Sequence, residues 1–133
     1  MARYEHLPIF RHAYDLTLEL DKRVHGFSRY HKYSIGADLR YTSRALLRLI
    51  IRANNNRKRM PVLLDIRWQA EYLKVLLRLA YESGAFPRGK KAYLFLAERA
   101  VEIAKQNEGW IKSGPGTAGG NRKEFEQGDR GER

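Results

Sequence analysis

Apolar residues recur at helical intervals along most of this chain, in four blocks separated by short polar or glycine-containing stretches. The first block runs from about Pro8, a residue suited to a first helical turn. Ile9, Phe10, Ala13, Leu16, Thr17, Leu20 and Val24 form its inward stripe, with Arg11, Asp15, Glu19, Lys22 and Arg23 opposite. Gly26, one step past the last periodic residue and preceded by Lys22, Arg23 and His25, ends it. Phe27 to Lys32 connects to a second block running from Tyr33 to Asn54, where Ile35, Leu39, Thr42, Leu46, Leu49, Ile50 and Ala53 point to a core. Asn54, Asn55 and Asn56 favour a helix exit, because their side chains compete for backbone hydrogen bonds. Pro61 then opens a third block.

That third block, about Val62 to Tyr81, carries two apolar stripes. Ile66, Ala70, Leu73, Leu77 and Ala80 make one, and Leu64, Trp68, Tyr72, Val75 and Leu79 the other, with Arg67, Glu71, Lys74 and Arg78 between them. A helix apolar over most of its circumference belongs inside a larger body, and a lone short bundle has no such centre. The pattern therefore predicts an oligomer, with Trp68, Tyr72, Val75 and Leu79 at the interface, joined by Tyr41, Leu47 and Ile51 from the second block. After the closing Ser83-Gly84, a fourth block has its stripe at Tyr93, Leu96, Ala97, Ala100, Ile103, Ala104 and Ile111, with Trp110 placed to cap the core. Strand-like alternation is absent. Four helices with short connections predict an all-α, antiparallel up-down-up-down four-helix bundle over residues 1–113. Residues 114–133, rich in glycine and charge, are expected to be a disordered tail.

Charge sharpens this picture. The 133 residues carry 26 Lys and Arg against 15 Asp and Glu, a net +11. The tail holds four residues of each sign, so the whole excess falls on the helical part. Arg40, Arg44, Arg48 and Arg52 stand at i, i+4, i+8 and i+12, which on a helix is one basic ridge about three turns long. Like charges at that spacing repel, so something outside the helix has to offset them. Arg57, Lys58 and Arg59 follow, and Arg67, Lys74 and Arg78 extend the set. Guanidinium groups suit phosphate because their planar fork donates two hydrogen bonds and keeps its charge. These ten residues are the candidate nucleic-acid contacts, reading backbone and shape rather than base edges. Tyr30, Tyr33 and Tyr41 have rings able to stack on unpaired bases, although helix packing is the favoured use for them.

Other chemistry is poorly supported. GAFPRGKK, residues 84–91, follows a phosphate-binding loop for seven positions, but Lys91 replaces the Ser or Thr that would hold magnesium, and the segment follows a helix rather than a strand. No Glu or Asp has a His three residues later, as a di-metal bundle needs. His6, His12, His25 and His31 gather in the first quarter of the chain as surface or capping residues, with an Asp21–His25 pair at i+4 spacing. Without cysteine, nucleophilic catalysis would need an activated serine, and no base is placed beside Ser28, Ser34 or Ser43. The expectation is a protein that is not an enzyme, with no cofactor, metal or small-molecule substrate. The apolar runs are too short for a membrane span or a signal peptide, so a cytoplasmic protein without membrane association is expected.

FSRYHKYSIGADLR, ALLRLIIRANNNR, YLKVLLRLAYESG and EIAKQNEGWIKS together resemble the accessory variability determinant (Avd) of diversity-generating retroelements and its four-helix-bundle relatives, over about residues 8 to 113. The relatives include proteins encoded in intervening sequences of bacterial large-subunit ribosomal RNA genes. The resemblance implies a homopentameric, ring-like barrel of bundles with a basic surface. It also implies association with a reverse transcriptase and with template RNA or its DNA copy, in support of mutagenic reverse transcription. By position, Arg40, Arg44, Arg48 and Arg52 match the family's basic surface, with intersubunit salt bridges or reverse-transcriptase contacts as other uses of the same residues. The alternatives are a ribosomal-RNA-associated bundle protein and an oligomeric structural protein whose charge serves solubility.

Overall fold

The computed structural model describes residues 4–114, and the tail expected over 114–133 lies outside them but for Gly114. Four long helices carry the fold: α1 (Pro8–His25), α2 (Ile35–Asn54), α3 (Met60–Glu82) and α4 (Lys90–Lys112). A 3-10 turn, Tyr4–His6, precedes α1. The connection expected between the first two helices itself contains one helical turn, Arg29–Lys32, because the Ser28 side chain accepts a hydrogen bond from the His31 amide. No strand occurs among the described residues.

Each long helix packs on its neighbours in sequence, and α4 closes on α1. Short connections make consecutive helices antiparallel, and side-chain pairs confirm the register: late α1 meets early α2 through Asp21 and Arg40, and early α3 meets late α4 through Arg67 and Glu108. Leu16, Leu20, Leu39, Leu46, Ile50, Leu63, Ile66, Leu73, Leu77, Leu96 and Ile103 fill the fully buried core. These positions are the stripes of the four helices brought to one axis, and their burial is the main driving force for the bundle.

The two ends of the bundle are closed differently. At one, Phe27 and Phe86 meet edge to face with centroids 5.2 Å apart, pinning the α1–α2 connection to the α3–α4 connection. Gly36 packs beneath this corner, where an added Cβ would lie 2.8 Å from Val24 Cγ1 and 2.9 Å from the His31 carbonyl oxygen. At the other end Trp110 packs against the core, as its position suggested, and the Arg59 guanidinium lies over its ring at 5.6 Å.

Candidate nucleic-acid interface

The ridge on α2 is divided in two. Asp21 of α1 places Oδ1 3.1 Å from Arg40 Nε and 3.5 Å from Arg44 Nη2. The Arg40 contact is an ion pair out of line for a hydrogen bond, since Arg40 Nε has no hydrogen-bond partner. One carboxylate thus supplies the outside compensation that the i+4 arginines call for, and it does so in place of the Asp21–His25 pair expected from spacing. Arg48 and Arg52, further along, have no ion pair among the described residues. Arg48 lies over the Tyr41 ring at 5.8 Å. Both line a groove between α2 and α3 with Trp68, Gln69 and Asp65.

The remaining candidate cations do not join one surface. Arg57 and Lys58 are exposed in the α2–α3 connection and continue the ridge beyond Arg52. Arg59, expected beside them, is buried: Nε donates to the Asn56 carbonyl, and Nη1 is enclosed without a partner. Burial holds its pKa below the usual arginine value. Its place between the start of α3 and Trp110 makes it part of the bundle's end.

On α3 the charges are answered locally. Arg67 makes a two-pronged pair with Glu108 of α4, at 2.8 Å on each arm. This hydrogen bonding raises the Arg67 pKa and lowers that of Glu108. Lys74 pairs with Glu71 at 3.1 Å and Arg78 with Glu82 at 2.9 Å. Arg67 reaches toward α4, whereas Asp65, Trp68 and Gln69 line the α2 side, so the α3 cations stand on the flank away from the ridge. The candidate cations without an ion pair among the described residues are therefore Arg48, Arg52, Arg57 and Lys58, with Arg44 half-shared and Asp65 the carboxylate in the groove beside Arg48 and Arg52.

A family model described as bAvd-like matches residues 11–114, which takes in nearly all of the four helices. The chain belongs to the bAvd-like family. Comparison with curated proteins gives no match, and comparison with solved structures gives none either.

The bAvd-like bundle leaves a second feature exposed. Leu64, Trp68, Tyr72, Val75 and Leu79 all face outward from α3, with Trp68 73% exposed. These are the second stripe of the sequence pattern, and their spacing places them directly opposite the buried one. Tyr41 is likewise exposed, while Leu47 and Ile51 are half-buried, Leu47 packing on the core of its own bundle. Tyr30, Tyr33 and Tyr41 are 77%, 71% and 67% exposed, so none takes the helix-packing role favoured for them within this chain.

Two polar groups inside this bAvd-like bundle escaped the sequence reading. Asn107 is fully buried and donates from Nδ2 to the Leu63 carbonyl at 2.9 Å, with Oδ1 unpartnered. Arg99 Nη1 lies 3.3 Å from His12 Nδ1, and its guanidinium stacks over Phe95 at 4.9 Å. Asn107 sits four residues past Ile103 in the core stripe, which was the one available signal. No grouping of His, Asp and Glu able to hold a metal occurs among the described residues, and none of their helices is long and apolar enough to cross a membrane.

Proposed function

We propose that this chain is the accessory subunit of a diversity-generating retroelement: a non-catalytic basic scaffold that binds the element's reverse transcriptase and its template RNA or cDNA. The observation that carries the reading is the pair Arg48 and Arg52, neither in an ion pair among the described residues, continued by the exposed Arg57 and Lys58, on a chain of the bAvd-like family. A phosphate backbone recognises such a row through charge and bidentate hydrogen bonds, without a base-reading module. In this reading the outward α3 strip is covered by a neighbouring copy, and the chain works as a closed ring, a pentamer by family resemblance. A strip of large apolar side chains on the outside of a bundle supports assembly, because exposed patches of that kind mark contact surfaces.

The test compares binding of a structured RNA and a matched DNA at several salt concentrations, for the wild type and for Arg44→Ala/Arg48→Ala/Arg52→Ala, with oligomer mass from light scattering. A surface making several phosphate contacts loses orders of magnitude in affinity, about 10³ for six contacts, between 50 and 200 mM salt. Steep salt dependence, lost in a variant of unchanged mass, supports the ridge. Absence of binding by the wild type near physiological salt overturns the nucleic-acid role. A neighbouring reverse-transcriptase gene whose product co-purifies with this chain supports the accessory role, and absence of such a gene, or failure of the two proteins to associate, overturns it.

A further inference from the structure

The Phe27–Phe86 contact brings together two connections that share an unusual composition. Residues 26–34, GFSRYHKYS, and residues 83–91, SGAFPRGKK, contain Arg29, Lys32, Arg88, Lys90 and Lys91 and no carboxylate. None of these five cations takes part in an ion pair among the described residues. Arg88 lines a depression beside Lys22 and Gly26 of the α1 end, so the second connection lies against the first. The nearest carboxylates in sequence are Asp21 and Asp38 around the first connection and Glu82 and Glu98 around the second; Asp21 is held by Arg40 and Arg44, and Glu82 by Arg78.

Tyr30 and Tyr33 alternate with the cations of the first connection and stand exposed, at 77% and 71%. A helical turn capped by Ser28 holds Tyr30, and the Ser34 hydroxyl donates to the Tyr30 carbonyl at 2.7 Å, so both rings stand on ordered backbone. Phe27 and Phe86 are buried as the pin beneath them.

We propose that this end of the bundle is a second nucleic-acid site, specific for single strands, in which Tyr30 and Tyr33 stack unpaired bases while Arg29, Lys32 and Arg88 hold the flanking phosphates. The ligand class follows from the residue mixture. Flat phenol rings interleaved with cations match the alternation of base and phosphate along a single strand, and stacking needs bases that are not already paired. A lipid surface would call for exposed Leu, Phe or Trp on the two connections, and Phe27 and Phe86, the residues of those types that they contain, are buried. The proposal shares the nucleic-acid reading given above but uses a different surface, at the far end of α2 from Arg57 and Lys58.

The experiment measures fluorescence anisotropy of labelled oligo-U and oligo-dT of roughly 20 nucleotides, and of a duplex of equal length, with the full chain. Tyr30→Ala/Tyr33→Ala is expected to weaken single-strand binding by roughly ten-fold or more while leaving duplex binding unchanged. Tyr30→Phe/Tyr33→Phe, which keeps the rings, is expected to bind as the wild type does. Arg29→Gln/Lys32→Gln/Arg88→Gln is expected to flatten the salt dependence of single-strand binding. Arg48→Gln/Arg52→Gln serves as the comparison. If the tyrosine variant binds single strands as the wild type does, the site is overturned, whatever the ridge variant shows. If the ridge variant loses nothing while the tyrosine variant loses single strands, this site stands and the ridge fails. Equal loss of duplex and single strand in the tyrosine variant, or binding to phosphatidylserine vesicles in preference to oligonucleotides, also overturns the proposal.

Discussion

Asp21 Oδ1 lies 3.1 Å from Arg40 Nε, across the α1–α2 contact, and the same oxygen reaches Arg44. The carboxylate holds two arginines of a surface otherwise suited to polyanions. Asp21→Asn is expected to raise affinity for RNA or DNA and to steepen its salt dependence, by a slope of about one to two for the contacts released. Titration at several salt concentrations checks this, and an unchanged slope would mean that Arg40 and Arg44 take no part in binding.

The Arg67–Glu108 pair gives stability a weak dependence on acid. Hydrogen bonding to Arg67 holds the Glu108 pKa below its unfolded value. The contribution is therefore complete above the unfolded carboxylate range, near roughly pH 4.3, and is lost as pH falls through the lowered folded value. Both side chains are about half exposed, which keeps the effect small. Urea unfolding of wild type and Glu108→Gln is expected to show a gap at neutral pH that closes on acidification. A gap that widens in acid would contradict the assignment.

Gly36 is a steric requirement rather than a turn residue. A Cβ there meets Val24 Cγ1 at 2.8 Å and the backbone oxygen of His31 at 2.9 Å, and the latter belongs to a corner that cannot shift freely. Gly36→Ala is expected to cost about 1–3 kcal/mol, despite alanine's better helix propensity. Thermal or urea denaturation reads the sign directly.

Asn107 offers a case in which a polar core residue is replaceable. Its Oδ1 is buried without a partner, so Asn107→Leu removes an unsatisfied acceptor at the cost of one hydrogen bond to Leu63. The expected change lies within about 1–2 kcal/mol of zero, whereas Asn107→Asp, which buries a charge, should cost several kcal/mol. Strong destabilisation by leucine would show that Oδ1 has a partner, such as an ordered water.

The outward strip on α3 predicts a concentration-dependent mass. Val75→Glu/Leu79→Glu places charge where a neighbouring copy would sit, and light scattering should show smaller particles with unchanged helical circular dichroism. Retention of the wild-type mass would move the interface elsewhere.

Periodicity was enough to read four helices from this chain, because each buried stripe repeats over three turns or more and tolerates an error at either end. The helix of Arg29–Lys32 was not legible: one turn carries no periodicity, and its signal was the Ser28 cap alone. The ridge was visible as spacing, yet its division by Asp21 depended on how α1 sits against α2. Arg59 illustrates the same limit. Its neighbours Arg57 and Lys58 look equivalent in sequence, but the turn into α3 points one of the three inward against Trp110, fifty-one positions away. Tyr30 and Tyr33 protrude from their own bundle, and an aromatic near a helix end packs or protrudes according to a corner geometry that local sequence does not encode.

Dividing the ridge has a consequence for reach. A uniform cationic rod would let a polymer slide along it, whereas the Asp21 contact interrupts the free charge between Arg48, Arg52, Arg57 and Lys58 at one end of α2 and the Arg29–Lys32 turn before the other, across a helix of 20 residues and hence about 30 Å. Two zones fixed on one rigid body act by avidity: a chain long enough to touch both gains an effective local concentration that a shorter one never sees. The bundle would then measure length before it reads anything else, ignoring fragments and holding polymers.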